Sequence, residues 1–204
     1  MNIAIVNYGM GNIKSLVGAL NFIGVKQINV TASESEINSA DKIILPGVGS
    51  FKEAMQNIKR LNLDKILENN VLNKKKPLMG ICLGMQLLLE SSEEGGEISG
   101  LKFMKGKITR FDDSEMRVPH IGINQVLPNS KSKIYKDFSQ KELDFYFVHS
   151  YKLEPQENIK QSKTHYVSDF VSSFEKNNII GVQYHPELSQ KNGLNILRSF
   201  ITNF

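Results

Sequence analysis

Three observations predict an α/β fold with a central, mostly parallel sheet flanked by helices and an antiparallel extension. Short apolar runs alternate with helix-period segments through the first half of the chain. The second half turns to strand-like stretches joined by short polar turns. The final segment returns to helical spacing.

The elements can be justified in chain order. Ile3-Ala4-Ile5-Val6 is a continuous apolar run, the pattern of a strand buried on both faces. Ile13, Leu16, Val17, Leu20 and Ile23 then fall on one helix face, closed by Gly24 at a C-cap position. Val25 to Val30 reads as a second strand, and Lys42-Ile43-Ile44-Leu45 as a third, stopped by Pro46-Gly47. Phe51, Ala54, Met55 and Ile58 mark a helix, which Leu63, Ile66 and Leu67 continue. Pro77 to Ile81 is a fourth strand, followed by a helix around Met85 to Leu89. Phe103 to Phe111, Val118 to Leu127, Leu143 to Tyr151 and the stretch Thr164 to Tyr184 look like strands, with Lys176-Asn177-Asn178 as a polar turn. Leu194, Leu197, Arg198 and Ile201 give the last helix, from Gly193 to Phe204. There is no repeat or linker, so residues 1–204 are expected to form a single domain.

Composition narrows the function. The chain has 204 residues, long enough to bury a full core. Its one cysteine, Cys82, excludes a disulfide within one chain and a multi-cysteine metal site, and no metal or cofactor site is evident. No apolar run is long enough to cross a bilayer, and Met1 to Asn7 lacks the basic start of a signal peptide, so a cytoplasmic setting without membrane contact is expected. The net charge is +4, spread as +1 over residues 1–102 and +3 over 103–204. A nucleic-acid binder would concentrate that charge; the one tight cluster, Lys74-Lys75-Lys76, reads as a solvated loop, and no nucleic-acid partner is expected.

Three segments carry the chemistry. Cys82 lies in Gly80-Ile81-Cys82-Leu83-Gly84, at a strand-to-helix junction like a nucleophile elbow with cysteine in place of serine. Alone, Cys82 reads first as a small buried hydrophobe, and the flanking glycines bring the two readings level. The flanking glycines permit a sharp turn, the helix start favours a thiolate, and the Leu83 N–H would face an oxyanion. His185 and Glu187 come after an apolar strand in Gln183-Tyr184-His185-Pro186-Glu187. In extended chain, residues two apart project to one side, so the carboxylate can hold one imidazole nitrogen while the other faces a sulfur. Pro186 restricts His185 to extended backbone. Leu45-Pro46-Gly47-Val48-Gly49-Ser50 ends a strand; it is either an ordinary turn or one whose Val48 peptide supplies an oxyanion donor, a contribution of about 3–4 kcal/mol to a barrier. Among the other histidines, His165 reads as exposed, His120 as structural or partner-facing, and His149 as a binding wall rather than a second base.

Together these segments resemble the class I (triad) glutamine amidotransferases, and within them the glutaminase subunit of imidazole glycerol phosphate synthase. The motifs are Asn7-Tyr8-Gly9-Met10-Gly11-Asn12, Pro46-Gly47-Val48-Gly49-Ser50-Phe51, Gly80-Ile81-Cys82-Leu83-Gly84-Met85-Gln86, Pro119-His120-Ile121-Gly122, Phe145 to Tyr151, and His185-Pro186-Glu187. The resemblance implies a flavodoxin-like amidotransferase fold. It implies that Cys82, His185 and Glu187 hydrolyse glutamine, with Val48 and Leu83 holding the oxyanion. Gly47, Gly49, Gln86, His149, Ser150 and Tyr151 would bind the substrate, with no cofactor. It implies a heterodimer with a (β/α)8-barrel cyclase, which takes the ammonia through a tunnel and forms imidazole glycerol phosphate and AICAR in histidine biosynthesis. Ile123 stands where many members have Trp, and Leu188 where they have Lys, both on the partner side. A paralogous branch supplying ammonia for amidino-sugar synthesis in surface polysaccharide is therefore an alternative. Outside the family, the alternatives are a stand-alone cysteine hydrolase and a non-catalytic binding chain.

Overall fold

The computed structural model describes residues 1–112, 114, 117–138, 143–166 and 168–204. The first half is strand, helix, strand in regular alternation: β1 (Asn2–Val6), α1 (Ile13–Phe22), β2 (Gln27–Thr31), α2 (Glu34–Ser39), β3 (Lys42–Leu45), α3 (Phe51–Arg60), α4 (Leu63–Leu67), β4 (Leu78–Ile81) and α5 (Leu83–Gln86). Strands then dominate: β5 (Ser91–Ser92), β6 (Ile98–Ser99), β7 (Gly106–Arg110), β8 (His120–Gln125), β9 (Asp144–His149), β10 (Tyr151–Pro155), β11 (Lys160–Tyr166), β12 (Ser168–Lys176) and β13 (Ile179–Val182), before α6 (Gln190–Asn203).

The main sheet has seven strands in the order β11-β12-β13-β4-β3-β1-β2. From β13 to β2 every neighbouring pair is parallel; β12 and β11 add an antiparallel edge. The expected antiparallel extension thus begins at that edge, and two further pieces complete it: the β8–β9 hairpin and a small sheet β10-β7-β5-β6. Side-chain alternation explains the two covered faces. Ala4, Val6, Ile43 and Leu45 pack with α2, α3 and α4 through Ile37, Phe51, Met55, Ile58 and Leu63. Ile3, Ile5, Ile44, Met79 and Ile180 pack with α1 and α6 through Leu16, Leu20, Ile196, Leu197 and Phe200. Each fully buried Phe or Ile side chain contributes roughly 1.5–3 kcal/mol.

Several elements differ from the sequence expectation. The second strand begins at Gln27, not Val25. The helix expected around Met85 to Leu89 ends as α5 at Gln86 and tightens into i→i+3 turns. The cause is competition for carbonyls. Leu87, Leu88 and Leu89 are buried, and their carbonyls accept from Leu101, Phe103 and Lys102 N–H groups of the returning chain. The helical region after Leu67 widens into a π-helical turn, Glu68–Asn73, in which buried Asn70 donates to the Ile66 carbonyl at 2.9 Å and to Asn38 at 2.8 Å. The stretch Thr164 to Tyr184 resolves into parts of three strands, with Asn177 in left-handed backbone at the expected turn; Val167 lies outside the described residues. Among the described residues no helix is long and apolar enough to cross a membrane.

One contact ties the last helix to the end of β13. A Cβ added to Gly193, in the first turn of α6, would lie 1.8 Å from the Pro186 carbonyl oxygen. Glycine lets α6 close onto the turn after β13. Gly193→Ala must separate the two backbones, and we expect a loss of about 3 kcal/mol of stability. Urea denaturation measures it; a wild-type midpoint would contradict the packing argument.

Candidate active site

Three adjacent parallel strands, β3, β4 and β13, end at one edge of the sheet. The residues just beyond their ends meet there: the 46–50 turn, Cys82 and His185. Ligand sites of open α/β sheets lie at this carboxyl edge.

Cys82 is the junction between β4 and α5, with φ 52° and ψ −112°. Such backbone costs on the order of 1–3 kcal/mol in a non-glycine residue. Close packing holds it. The Cys82 N–H donates to the Val182 carbonyl at 2.8 Å, and its carbonyl accepts from the Gln86 N–H at 3.2 Å. A Cβ on Gly84 would stand 1.8 Å from the Leu45 carbonyl oxygen, and one on Gly80 would stand 2.8 Å from the Met85 backbone. The elbow therefore lies directly against the end of β3.

His185 has extended backbone (φ −97°, ψ 98°), as expected before Pro186. Its Nδ1–H donates to Glu187 Oε1 at 2.9 Å, and both side chains are buried. Because a carboxylate only accepts, Nδ1 carries a proton, and Nε2 has no hydrogen-bond partner among the described residues. The geometric route differs from strand alternation. Glu187 sits in a 3-10 turn, Pro186–Leu188, which curls the carboxylate back to the ring. Ser189 fixes that turn: its hydroxyl donates to the His185 carbonyl at 2.6 Å and accepts from the Tyr146 N–H at 2.9 Å. Burial pulls the imidazole pKa down, but the Cys82 side chain and the Glu187 carboxylate outweigh it and hold the group up at about 10.

Cys82 and His185 line one cleft of about 290 Å³. Val48, Gly49, Leu83, Gln86, His149, Ser150 and Tyr151 line it as well. Gly49 takes φ 105° beside half-exposed Val48. Gly47 does not line the cleft. It lies behind, where a Cβ would meet the Tyr8 hydroxyl at 2.5 Å and the Leu83 Cβ at 2.8 Å. The missing side chain there admits the elbow.

Two residues of the site escaped sequence reasoning. Glu94, from the loop after β5, puts a carboxylate in the cleft wall; its pKa is raised by burial, against the Phe51 N–H that donates to it at 3.1 Å. Ser92-Glu93-Glu94 has the composition of an ordinary acidic loop. Gln183 is wholly buried with its amide nitrogen 3.6 Å from the Cys82 sulfur. Its placement two residues before His185, on an otherwise apolar strand end, was the available signal.

His149 and His120 form a buried pair. His149 Nδ1 lies 2.7 Å from the Tyr151 carbonyl, which cannot donate, so that nitrogen is protonated. His149 Nε2 then accepts from His120 Nδ1 at 3.1 Å. The His120 ring stacks on Tyr166 with centroids 3.9 Å apart. Burial lowers His120 to about 4 and His149 to about 3. His165, by contrast, is exposed and pairs with Asp169. Both buried rings are favoured neutral in the fold, so the unfolded chain binds more protons once pH falls below about 6.5. Their stabilisation is complete above that pH and is lost on acidification toward 4. The raised His185 group opposes this slope near pH 6.5, where the unfolded imidazole is half deprotonated, and adds none below about pH 5.5, so the pair sets the overall direction. Urea midpoints should therefore fall steadily from pH 6.5 to 4.5; a flat profile would contradict the neutral pair.

Comparison with known proteins identifies the family. A family model described as glutamine amidotransferase class-I matches residues 4–204. The chain is 42% identical over 201 residues, covering 98% of both chains, to the imidazole glycerol phosphate synthase subunit HisH 1 of Campylobacter jejuni. It is 44% identical over 202 residues, again 98% of both, to the subunit HisH 2 of Methanococcus maripaludis. A crystal structure of a glutamine amidotransferase superposes with a TM-score of 0.76 at 14% identity over 97% of this chain and 96% of that one, a likeness of fold. The expected fold class is thus observed, and the chain belongs to the class-I glutamine amidotransferase family.

Proposed function

We propose that this chain, a single amidotransferase domain over residues 1–204, is the glutaminase subunit of an imidazole glycerol phosphate synthase. The observation that carries the reading is the meeting of the chain's one cysteine with the His185–Glu187 pair in a single cleft. Similarity to subunits of that name over nearly the full length supports it.

The chemistry comes from the groups present. The Cys82 sulfur attacks the carboxamide carbon of glutamine. The tetrahedral oxyanion is held by the N–H groups of Leu83 and Val48. His185, protonated at neutral pH, gives its Nε2 proton to the departing nitrogen; the C–N bond breaks and a thioester remains. The imidazole, now neutral, takes a proton from water as the oxygen attacks the thioester; the C–S bond then breaks, glutamate leaves, and thiolate and protonated imidazole are restored. Glu187 keeps the ring oriented through both steps. His149, Ser150, Tyr151, Gly49 and Gln86 form the wall around the amino-acid end, and Glu94 offers a carboxylate to its ammonium group.

Ammonia released into bulk water would be protonated and lose its nucleophilic lone pair, so the product is delivered to a partner. We assign the docking face to the outer side of the β8–β9 hairpin. Ile121 and Ile123 are 60% and 68% exposed there, and Val148 pairs with Ile121. Leu188 lines the same surface depression as Ile123. The two departures from the common family pattern are thus neighbours, and Leu188 in place of Lys removes a charge from this face. That observation keeps a paralogous partner, the amidino-sugar branch, as the second reading.

Three measurements test the assignment. With a histidine-pathway cyclase from the same genome, the chain should hydrolyse glutamine, faster when the cyclase's phosphoribosyl substrate is bound. Cys82→Ala should abolish that hydrolysis, while added ammonium salt restores cyclase product. Absence of stimulation in a chain whose Cys82 still reacts with a glutamine-analogue electrophile would shift the partner to the amidino-sugar branch. Glu187→Gln removes a group that raises His185, so the alkaline limb of the hydrolysis profile should move to lower pH than in wild type. The loss of rate at neutral pH should be smaller than for Cys82→Ala. An unmoved limb would remove Glu187 from the triad.

A further inference from the structure

The amide of Gln183 touches the nucleophile, and the surrounding hydrogen bonds determine which way it points. The Tyr151 carbonyl can only accept. It receives the His149 Nδ1–H at 2.7 Å and the Gln86 Nε2 at 3.4 Å, which commits Gln86 to presenting its NH2 group there. The same nitrogen stands 3.1 Å from Gln183, so Gln183 must offer its oxygen to it. Its NH2 group is thereby turned toward the Cys82 sulfur, 3.6 Å away. The opposite flip would set an oxygen against the sulfur and one amide N–H against another. Neither glutamine is free to choose, because both are buried.

Resting on the assignment of Cys82 as nucleophile, we propose that Gln183 is a positioning residue that donates an N–H to the Cys82 sulfur and stabilises its anionic form in the attacking position. A hydrogen bond to a charged acceptor favours that charge state, whereas a neutral thiol gains little from a second donor. The other neighbours of the sulfur do not duplicate this role. The Val148 carbonyl, 3.9 Å away, can serve only the protonated thiol. The titratable groups facing the sulfur are His185, held by Glu187, and Tyr8, whose hydroxyl donates to the Pro46 carbonyl at 2.6 Å; His149 and Glu94 stand across the cleft. Of these, His185 is engaged in the proton transfers themselves. Gln183 has no proton to give up, so its effect is constant through the cycle. The arrangement also leaves Gln86 only its oxygen for a ligand in the cleft.

The single cysteine makes the test direct, since alkylation of the full chain by iodoacetamide reports Cys82 alone. The rate is measured against pH for wild type, Gln183→Met, which keeps the volume and removes the donor, and Gln183→Glu, which replaces the donor with an acceptor. The midpoint should move up by about one pH unit in Gln183→Met, with alkylation at neutral pH about tenfold slower, and further in Gln183→Glu. Gln86→Leu leaves Gln183 in place but releases its oxygen, and should shift the midpoint in the same direction. Profiles that overlie wild type in whichever of these variants fold would overturn the proposal. The measurement uses neither glutamine nor partner. A chain that shows the shift yet hydrolyses no glutamine with any cyclase would retire the glutaminase reading and leave this one standing.

Discussion

The site depends on a backbone contact that no side chain makes. Gly84 presses on the Leu45 carbonyl so closely that a methyl group has no room, and this locks the start of α5 to the end of β3. With β13 bonded to the other side of β4, the Cys82 N–H closes onto the Val182 carbonyl. Cys82 is left in left-handed backbone, which a relaxed chain would abandon. The strain is held by the parallel sheet, whose strands are buried on both faces, so it falls on the part of the fold least able to yield. The proposed nucleophile, the proposed oxyanion turn and the imidazole are then brought together by three strand ends in one register, not by loops that must find each other.

Much of this was legible in residues. Continuous apolar runs at Ile3–Val6 and Lys42–Leu45 meant strands covered on both sides, and they are. Glycines around Cys82 meant a tight elbow, and the Leu45 carbonyl supplies the reason. What could not be read was set by tertiary competition. The leucine run 87–89 has helical character, yet its carbonyls are claimed by residues 101–103. Strand β10, Tyr151–Pro155, does alternate apolar and polar residues, but only Ser150 separates it from β9, so the sequence reads as one strand ending at Tyr151. The His185–Glu187 contact was expected from the right residues by the wrong geometry, since i, i+2 spacing does not distinguish a strand from a 3-10 turn. Gln183 left a trace as the one polar residue on an apolar strand end, but what it and Glu94 do was unreadable for a simpler reason. Their roles depend on what stands opposite them, and a one-dimensional pattern holds no record of that.

Polarity inside this protein is directional. The His120–His149 pair, the Tyr151 carbonyl and the two glutamines form one run in which each donor has a single available acceptor. A buried network of this kind is costly when half-satisfied and specifying when complete. It links the inner side of the β8–β9 hairpin, whose outer side carries the exposed isoleucines, to the sulfur at the sheet edge. The hairpin is thus both a wall of the cleft and the part of the site nearest to anything docked outside.

The strand order has a consequence for how the chain comes into being. Strand β13 lies between β4 and β12, but it is made only after residues 82–178 have been synthesised. Until it arrives, β4 presents a fully apolar, unpaired edge, the type of surface that recruits other chains. Closing it is a long-range event in sequence, and such pairings form slowly. The same insertion that seals this edge delivers His185 beside Cys82. Newborn chains are therefore at greatest risk of aggregation for as long as they are chemically inert, and one step ends both conditions.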